Sequence, residues 1–392
     1  MTTLDLKENQ INFVIELFSK GEINKALDAV QELFKEYPNE PLLFNISGAC
    51  HAGLGQLDSA IKDYGAAIAI KPDYAKAHFN LAGALQDLGK LDDAVNSYEK
   101  ALEIEPDYAE AHNNLGSVFK DLNQNDAAIK SYKDALVIKP GYVEAQYSLG
   151  IIFQDIGQLE AAIKCYEAVL TIKPHFADAF NALGTSFMDL GQFNEAVECY
   201  KSVLKIKPDS VEAINNLGIV FYKLHQFDNA IECYEKAISF KPDFADTYNN
   251  MGVVLLDLGQ FKEAANSYKL ALKIKPDFFE AINNLGIAFY KLNQFDNAIE
   301  CYEKAIYLKS DFVDAYANLA SVLKDLKRFD ETLAIYESEI IRNSNLDFIL
   351  GELFYIKMHL CIWDDLPIQL NELTKKINNR EKVVSPFIIL AL

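Results

Sequence analysis

The chain is poor in the residues that mark most kinds of chemistry. It holds one tryptophan, four methionines and six cysteines, and no two cysteines form a C-x-x-C pair. Its six histidines, His51, His78, His112, His175, His225 and His359, make no H-E-x-x-H and no cluster with cysteine. A zinc centre needs such a spacing, so none is readable. P-loop, G-x-G-x-x-G and G-x-S-x-G patterns are missing too. The sequence therefore predicts no metal, no cofactor and no catalytic residue. Basic residues are scarce: 37 Lys and Arg stand against 57 Asp and Glu, a net charge of −20. Nucleic-acid binders neutralise phosphates with cations, and anionic membranes attract them, so both partner classes are disfavoured. A protein or peptide ligand that is neutral to basic is the expected partner. No run approaches the ~18–20 apolar residues of a membrane span, and MTTLDLKENQ has neither basic start nor apolar core. A cytoplasmic setting is expected.

What the chain does have is a period. Pro38, Pro72, Pro106, Pro140, Pro174, Pro208, Pro242 and Pro276 are each 34 residues apart, and the next step lands on Ser310. Counting each proline as position 32, repeats begin at 7, 41, 75, 109, 143, 177, 211, 245, 279 and 313. Position 8 is then Gly or Ala from Gly48 to Ala320, position 20 is Ala from Ala26 to Ala298, and position 24 is Tyr from Tyr64 to Tyr336. Cys165, Cys199, Cys233 and Cys301 share position 23 with Ser97, Ser131 and Ser267, which makes them a packing column and not a disulfide framework.

Within residues 75–108 one helical stripe runs through His78, Leu81, Ala82, Leu85 and Leu88, and Gly89-Lys90 breaks it. A second runs through Leu91, Ala94, Tyr98, Ala101 and Leu102 and stops before Pro106. Asp107 is expected to cap the next helix. Lysines such as Lys71 and Lys139 precede the prolines, at a helix C-terminus where a cation is favoured. Glycine inside a helix costs ~1 kcal/mol relative to Ala, and close approach to the Ala at position 20 is the expected compensation. These Leu-Gly, Ala, aromatic and Pro marks resemble the tetratricopeptide-repeat (TPR) consensus over residues 7–346. The resemblance implies an all-α, right-handed superhelical solenoid of antiparallel helix pairs. Repeats at 211 and 279 are almost identical, as expected of a module that duplicates whole.

Positions 2, 6, 9 and 13 form the remaining stripe of the first helix, which in the resembled family lines the concave groove. Position 6 gives Asn80, Asn114, Asn216, Asn250, Asn284 and Asn318; repeats at 41, 143 and 177 carry Ile46, Ser148 and Ala182 instead. Position 13 gives Asp87, Asp121, Asp155, Asp189, Asp257 and Asp325, with Lys223 and Lys291 in the duplicated repeats. Position 2 is mostly acidic, from Glu110 to Asp314, with Lys76 the basic exception, so a clamp for carboxylates is not expected. Asn is a poor helix former, so its recurrence asks for a cause. One reading is a ladder of amides that bonds an extended peptide backbone, flanked by carboxylates that favour basic side chains. The other is that each Asn bonds a neighbouring helix or is solvated.

After residue 346 the consensus fails. Residues 347–380 read as capping or junction helices, and 381–392 as an apolar tail, odd at the end of a solenoid. LGELFYIKMHLCIWDD followed by VVSPFIILAL resembles the junction between repeats and catalytic region in bacterial O-linked N-acetylglucosamine (O-GlcNAc) transferases, with Cys361-x-Trp363-x-Asp365 its clearest mark. That family also carries an Asn ladder. The resemblance implies the substrate-recognition region of such a glycosyltransferase, with its catalytic residues beyond Leu392 and none in this chain. A catalytic role alone or with a partner subunit, and an unrelated TPR adaptor, are the competing expectations.

Overall fold

A chain of 34-residue units with two apolar stripes each can satisfy itself only by pairing helices and stacking the pairs. The computed structural model describes residues 3–342, 349–362, 368, 371, 374 and 375. Among these residues every regular element is an α-helix. The chain divides into two compact units, Met1–Lys207 and Pro208–Leu392. The first holds α1 (Thr3–Ser19), α2 (Ile23–Glu36), α3 (Pro41–Gly53), α4 (Leu57–Ile70), α5 (Ala75–Asp87), α6 (Leu91–Ile104), α7 (Ala109–Asp121), α8 (Asn125–Ile138), α9 (Val143–Asp155), α10 (Leu159–Ile172), α11 (Ala177–Asp189) and α12 (Phe193–Ile206). The second holds α13 (Val211–Lys223), α14 (Phe227–Phe240), α15 (Ala245–Asp257), α16 (Phe261–Ile274), α17 (Phe279–Lys291), α18 (Phe295–Leu308), α19 (Val313–Asp325), α20 (Phe329–Arg342) and α21 (Ile349–His359). Odd-numbered helices up to α19 are the first (A) helix of a repeat and even-numbered ones the second (B). Consecutive repeats form an all-helical solenoid.

Two turns per repeat set this geometry. Between A and B the backbone enters the left-handed region at position 15, for example Gly89 at φ 76° and Gly191 at φ 73°. The amide of the following residue, Lys90, then donates to the carbonyl of Leu85, closing the helix end. Between B and the next A, Pro72 and Asp73 occupy the middle of a turn closed by the Tyr74 amide donating to the Lys71 carbonyl. The same turn puts Asp107 one residue too early to cap α7. The N-cap is Tyr108 and makes no side-chain cap bond. The expected Asp107 cap is thus replaced by a turn position, where Asp suits the backbone equally well. Lysine before the turn is placed as anticipated, and it also covers the aromatic ring three residues on, as Lys139 covers Tyr142 at 4.4 Å.

The glycine column has a different partner from the one the sequence suggests. A Cβ added at Gly48, Gly116, Gly150, Gly184, Gly218, Gly252 or Gly286 would lie 2.5–3.0 Å from the ring of the tyrosine at position 24 of the same repeat. Ala26, Ala60 and Ala94 at position 20 are fully buried, yet it is the position-24 tyrosine that occupies the space glycine opens. Burying such a ring stabilises by roughly 2–3 kcal/mol, more than the ~1 kcal/mol glycine costs the helix. Small residues also join repeats: Ala305 at position 27 packs with Ala315 at position 3 of the next repeat, both at 0% exposure.

Candidate functional site

Within each unit, A helices of neighbouring repeats adjoin directly, as α5 does α7 and α15 does α17. Neighbouring B helices, among the described residues, do not. Positions 2, 6, 9 and 13 therefore come together on the tighter layer of the stack, the A face. Asn80 and Asn114 lie on this face in the first unit, with Asp87, Asp121, Asp155 and Asp189 at the ends of α5, α7, α9 and α11. Asn216, Asn250, Asn284 and Asn318 lie on it in the second, with Asp257 and Asp325. The asparagines are half-buried and the aspartates exposed.

Four of the six asparagines are cross-linked. Asn80 Nδ2 donates to Asn45 Oδ1 at 2.9 Å in the first unit. In the second, Asn250 donates to Asn215, Asn284 to Asn249 and Asn318 to Asn283, at 3.0–3.1 Å. Each acceptor is the Asn at position 5 of the preceding repeat. This second amide column was missed in the sequence, although the doublets Asn215-Asn216, Asn249-Asn250 and Asn283-Asn284 displayed it. Asn215 also accepts from the buried Thr247 hydroxyl at 3.2 Å. Asn114 departs from the pattern: its Oδ1 accepts from Asn113 beside it. Asn113 Oδ1 is buried without a partner, because the next repeat offers Ser148 where an Asn would donate.

Four of the six aspartates, Asp121, Asp155, Asp257 and Asp325, are tied in the same way. Tyr222 donates to Asp257 Oδ2 at 2.6 Å and Tyr290 donates to Asp325. Gln86 donates to Asp121 at 3.4 Å, and Lys120 pairs with Asp155 at 3.7 Å. The phenol of Tyr222 is pushed up to about 12, first by burial and then by its bond to the Asp257 carboxylate. Through the gap left by glycine, the position-24 tyrosines reach the same layer: Tyr166 donates to Gln154, and Tyr200 shares a bond with Thr185.

Position 2 is neutralised in the first unit. Lys139 meets Glu110, Lys173 meets Glu144 and Lys207 meets Asp178, each at 3.2 Å. The carboxyls of Glu110 and Glu144 are held below their ordinary range by their own backbone amides first, and by the lysines. Elsewhere Ser47 and His51 both bond Asp63 Oδ2, at 2.6 and 2.8 Å. The serine there donates to the carboxylate and not to the histidine, so no base activates it. No group of three or more His, Cys, Asp or Glu able to hold a metal occurs among the described residues. No helix among them is long and apolar enough to cross a membrane. Trp363, Asp365 and the tail 381–392 lie outside the described residues.

This architecture defines a class: a solenoid of helix–turn–helix repeats whose surface, not a cavity, carries its polar columns. A family model described as TPR repeat matches residues 52–89, 84–122, 116–157, 152–190, 184–225, 220–259 and 254–293, and one described as Tetratricopeptide repeat matches 279–312. The chain belongs to the tetratricopeptide-repeat family. It is similar to the peroxisomal targeting signal receptor of Saccharomyces cerevisiae, 29% identical over 82 residues, which are 21% of this chain and 13% of that protein. It thus spans only a small part of that relative's length. Among solved structures, a tetratricopeptide repeat protein from Parabacteroides merdae shares the fold, with TM-score 0.54 and 17% identity over 64% of this chain and 98% of that one. Yeast Tom70 does so at TM-score 0.51 and 14% identity, over 95% and 100%.

Proposed function

We propose that this chain is a protein-interaction scaffold that binds extended polypeptide along its A face. The observation that carries the reading is the orientation of the amides. Asn250, Asn284 and Asn318 each spend one N–H on the preceding repeat, which fixes the amide and leaves its Oδ1 and second N–H for a ligand. A row of fixed acceptors and donors suits a peptide backbone, whatever its side chains. The net charge of −20 favours a neutral to basic segment. A relative named as a targeting signal receptor is in keeping with peptide capture.

The finer reading is the substrate-recognition region of an O-GlcNAc-transferase-like glycosyltransferase. The amide ladder and the sequence around Cys361 support it. Binding of UDP-N-acetylglucosamine by this chain would favour instead a catalytic role with a partner subunit.

The test is fluorescence anisotropy with a labelled, unstructured Ser/Thr/Lys peptide of about 15 residues. Changing Asn216, Asn250 and Asn284 together to Ala should weaken binding about tenfold. Unchanged affinity would overturn the proposal. The sequence alone suggests that thermal stability holds or rises, since Ala is the better helix former. The cross-repeat bonds revise this to a modest loss, because each contributes roughly 0.5–1.5 kcal/mol.

A further inference from the structure

The two units differ in what flanks the amide row, and the difference reads as ligand selectivity. On helix A, position 9 lies one turn beyond position 6 and position 2 about one turn before it. In the second unit position 9 is aliphatic beside Asn216, Asn250 and Asn284, as Ile219, Val253 and Ile287, all half-buried, and becomes the exposed Ser321 beside Asn318. In the first unit Gly83 and Ser117 stand beside Asn80 and Asn114, and the rest of this column is Ile15, Ala49, Ile151 and Thr185, with Ile151 beside Ser148 and not beside an amide. The acidic edge differs as well. Glu110, Glu144 and Asp178 in the first unit are paired with lysine. Asp246, Glu280 and Asp314 in the second have no ion-pair partner among the described residues. The lysine that would pair with Glu280 by analogy, Lys309, lies over the Phe279 ring at 4.6 Å. Phe279 is peculiar to that repeat, since the other repeats from 75 onward begin with Ala or Val. Beyond the aliphatic row, Lys223, Asp257, Lys291 and Asp325 alternate in sign and cancel.

An extended chain presents its hydrogen-bonding groups in one plane and its side chains alternately to either side of that plane. A backbone seated on the amides of the second unit therefore sends every other side chain toward the aliphatic row and the intervening ones toward the open carboxylates. From this we infer that the second unit selects extended segments in which aliphatic and basic side chains alternate. The inference rests on the peptide-binding reading of the A face. It adds which segments bind and where.

Four labelled peptides of about 12 residues, long enough to cross three repeats, test it with the full chain: alternating Leu/Lys, Leu/Glu, Ser/Lys and Ser/Gln. The Leu/Lys peptide should bind about tenfold tighter than each of the others. Val253→Ser with Ile287→Ser should remove the advantage of Leu over Ser. Asp246→Lys with Glu280→Lys, at an exposed and a half-buried position, should shift preference to the Leu/Glu peptide. Circular dichroism melts check that each variant folds, and the charge reversal stands as the test if the serine variant does not. Equal affinity for all four peptides would overturn the selectivity and leave backbone binding standing. No binding of any would overturn both. A Leu/Lys preference unmoved by either double variant would place the ligand elsewhere and overturn the assignment to this unit.

Discussion

A methyl group on Gly218 would stand 2.5 Å from Cε1 of Tyr234, the tightest such approach in the glycine column. Nothing lies within 4 Å of the corresponding point at Gly65, which is also inside a helix. The same substitution should therefore have opposite signs. Gly65→Ala should stabilise by about 0.5–1 kcal/mol through backbone entropy and propensity. Gly218→Ala should destabilise by about 1–2 kcal/mol, because the ring is fully buried and overpacking outweighs the propensity gain. Thermal melts of the two variants read the difference. A stabilised Gly218→Ala would show that the ring can move aside.

The orphaned Asn113 Oδ1 gives a repair experiment. Ser148→Asn places a donor where Asn250, Asn284 and Asn318 supply one and should stabilise by about 1 kcal/mol. Asn215→Ala should do the reverse, by about 1–3 kcal/mol. It strips the acceptor from both Asn250 and the fully buried Thr247. Urea titration of both variants checks the pair. If Ser148→Asn is neutral or worse, the orphan acceptor is already solvated.

Left-handed residues at the A–B turn are glycine in some repeats, but Lys327 sits there at φ 60°. A lysine in this region carries strain that glycine does not. Lys327→Gly should raise the melting temperature, by about 0.5–1 kcal/mol in stability after the entropy of glycine is subtracted. Asn123→Gly should change little, since Asn tolerates the conformation. Equal effects at both sites would remove strain as the cause.

Burial pushes the Cys165 thiol up to about 11 and, with nearby glutamates adding to it, Cys199 up to about 12. The unfolded chain releases these protons near the ordinary thiol value of about 8.5, while the folded one retains them. Their contribution to stability is therefore complete below that pH and falls as pH rises toward 11–12. Cys50, Cys233 and Cys301 behave alike, each raised to about 11, mainly by burial. Melts between pH 7 and 10 should show a falling midpoint. Iodoacetamide at pH 8 should label the exposed Cys361 well before Cys165 or Cys199, because the thiolate is the reactive form. Peptide mapping of the alkylated protein would show the order, and early labelling of Cys165 would contradict it.

The sequence displayed every column of the repeat but not which columns meet. Periodicity assigns a residue to a helix and a face. The contact between Gly218 and Tyr234 depends on how far a phenol ring reaches across the pair, so alanine at position 20 looked like the natural neighbour. Asp107 had the right chemistry for a cap and the wrong register by one residue, because the proline turn claims it. The amide ladder was half legible. Asn at position 6 stood out through its poor helix propensity, while its acceptor at position 5 was masked where Phe79 and Tyr147 interrupt that column. The ion pairs that silence Glu110 but not Glu280 depend on Phe279, a single residue outside every consensus column.

One number in the structure differs from the period of the sequence. The chain repeats every 34 residues, but the bonds Asn215–Asn250, Asn249–Asn284 and Asn283–Asn318 all span 35. Excising residues 245–278 would bring Asn284 against Asn215, the same chemical pair in the same frame. Excising one residue more would set Leu285 against the amide, and excising two fewer would set Ile282 there. The ladder therefore acts like a reading frame for insertions and deletions: the gene can grow or shrink by whole modules and keep its surface continuous, while any other length change is a frameshift in three dimensions.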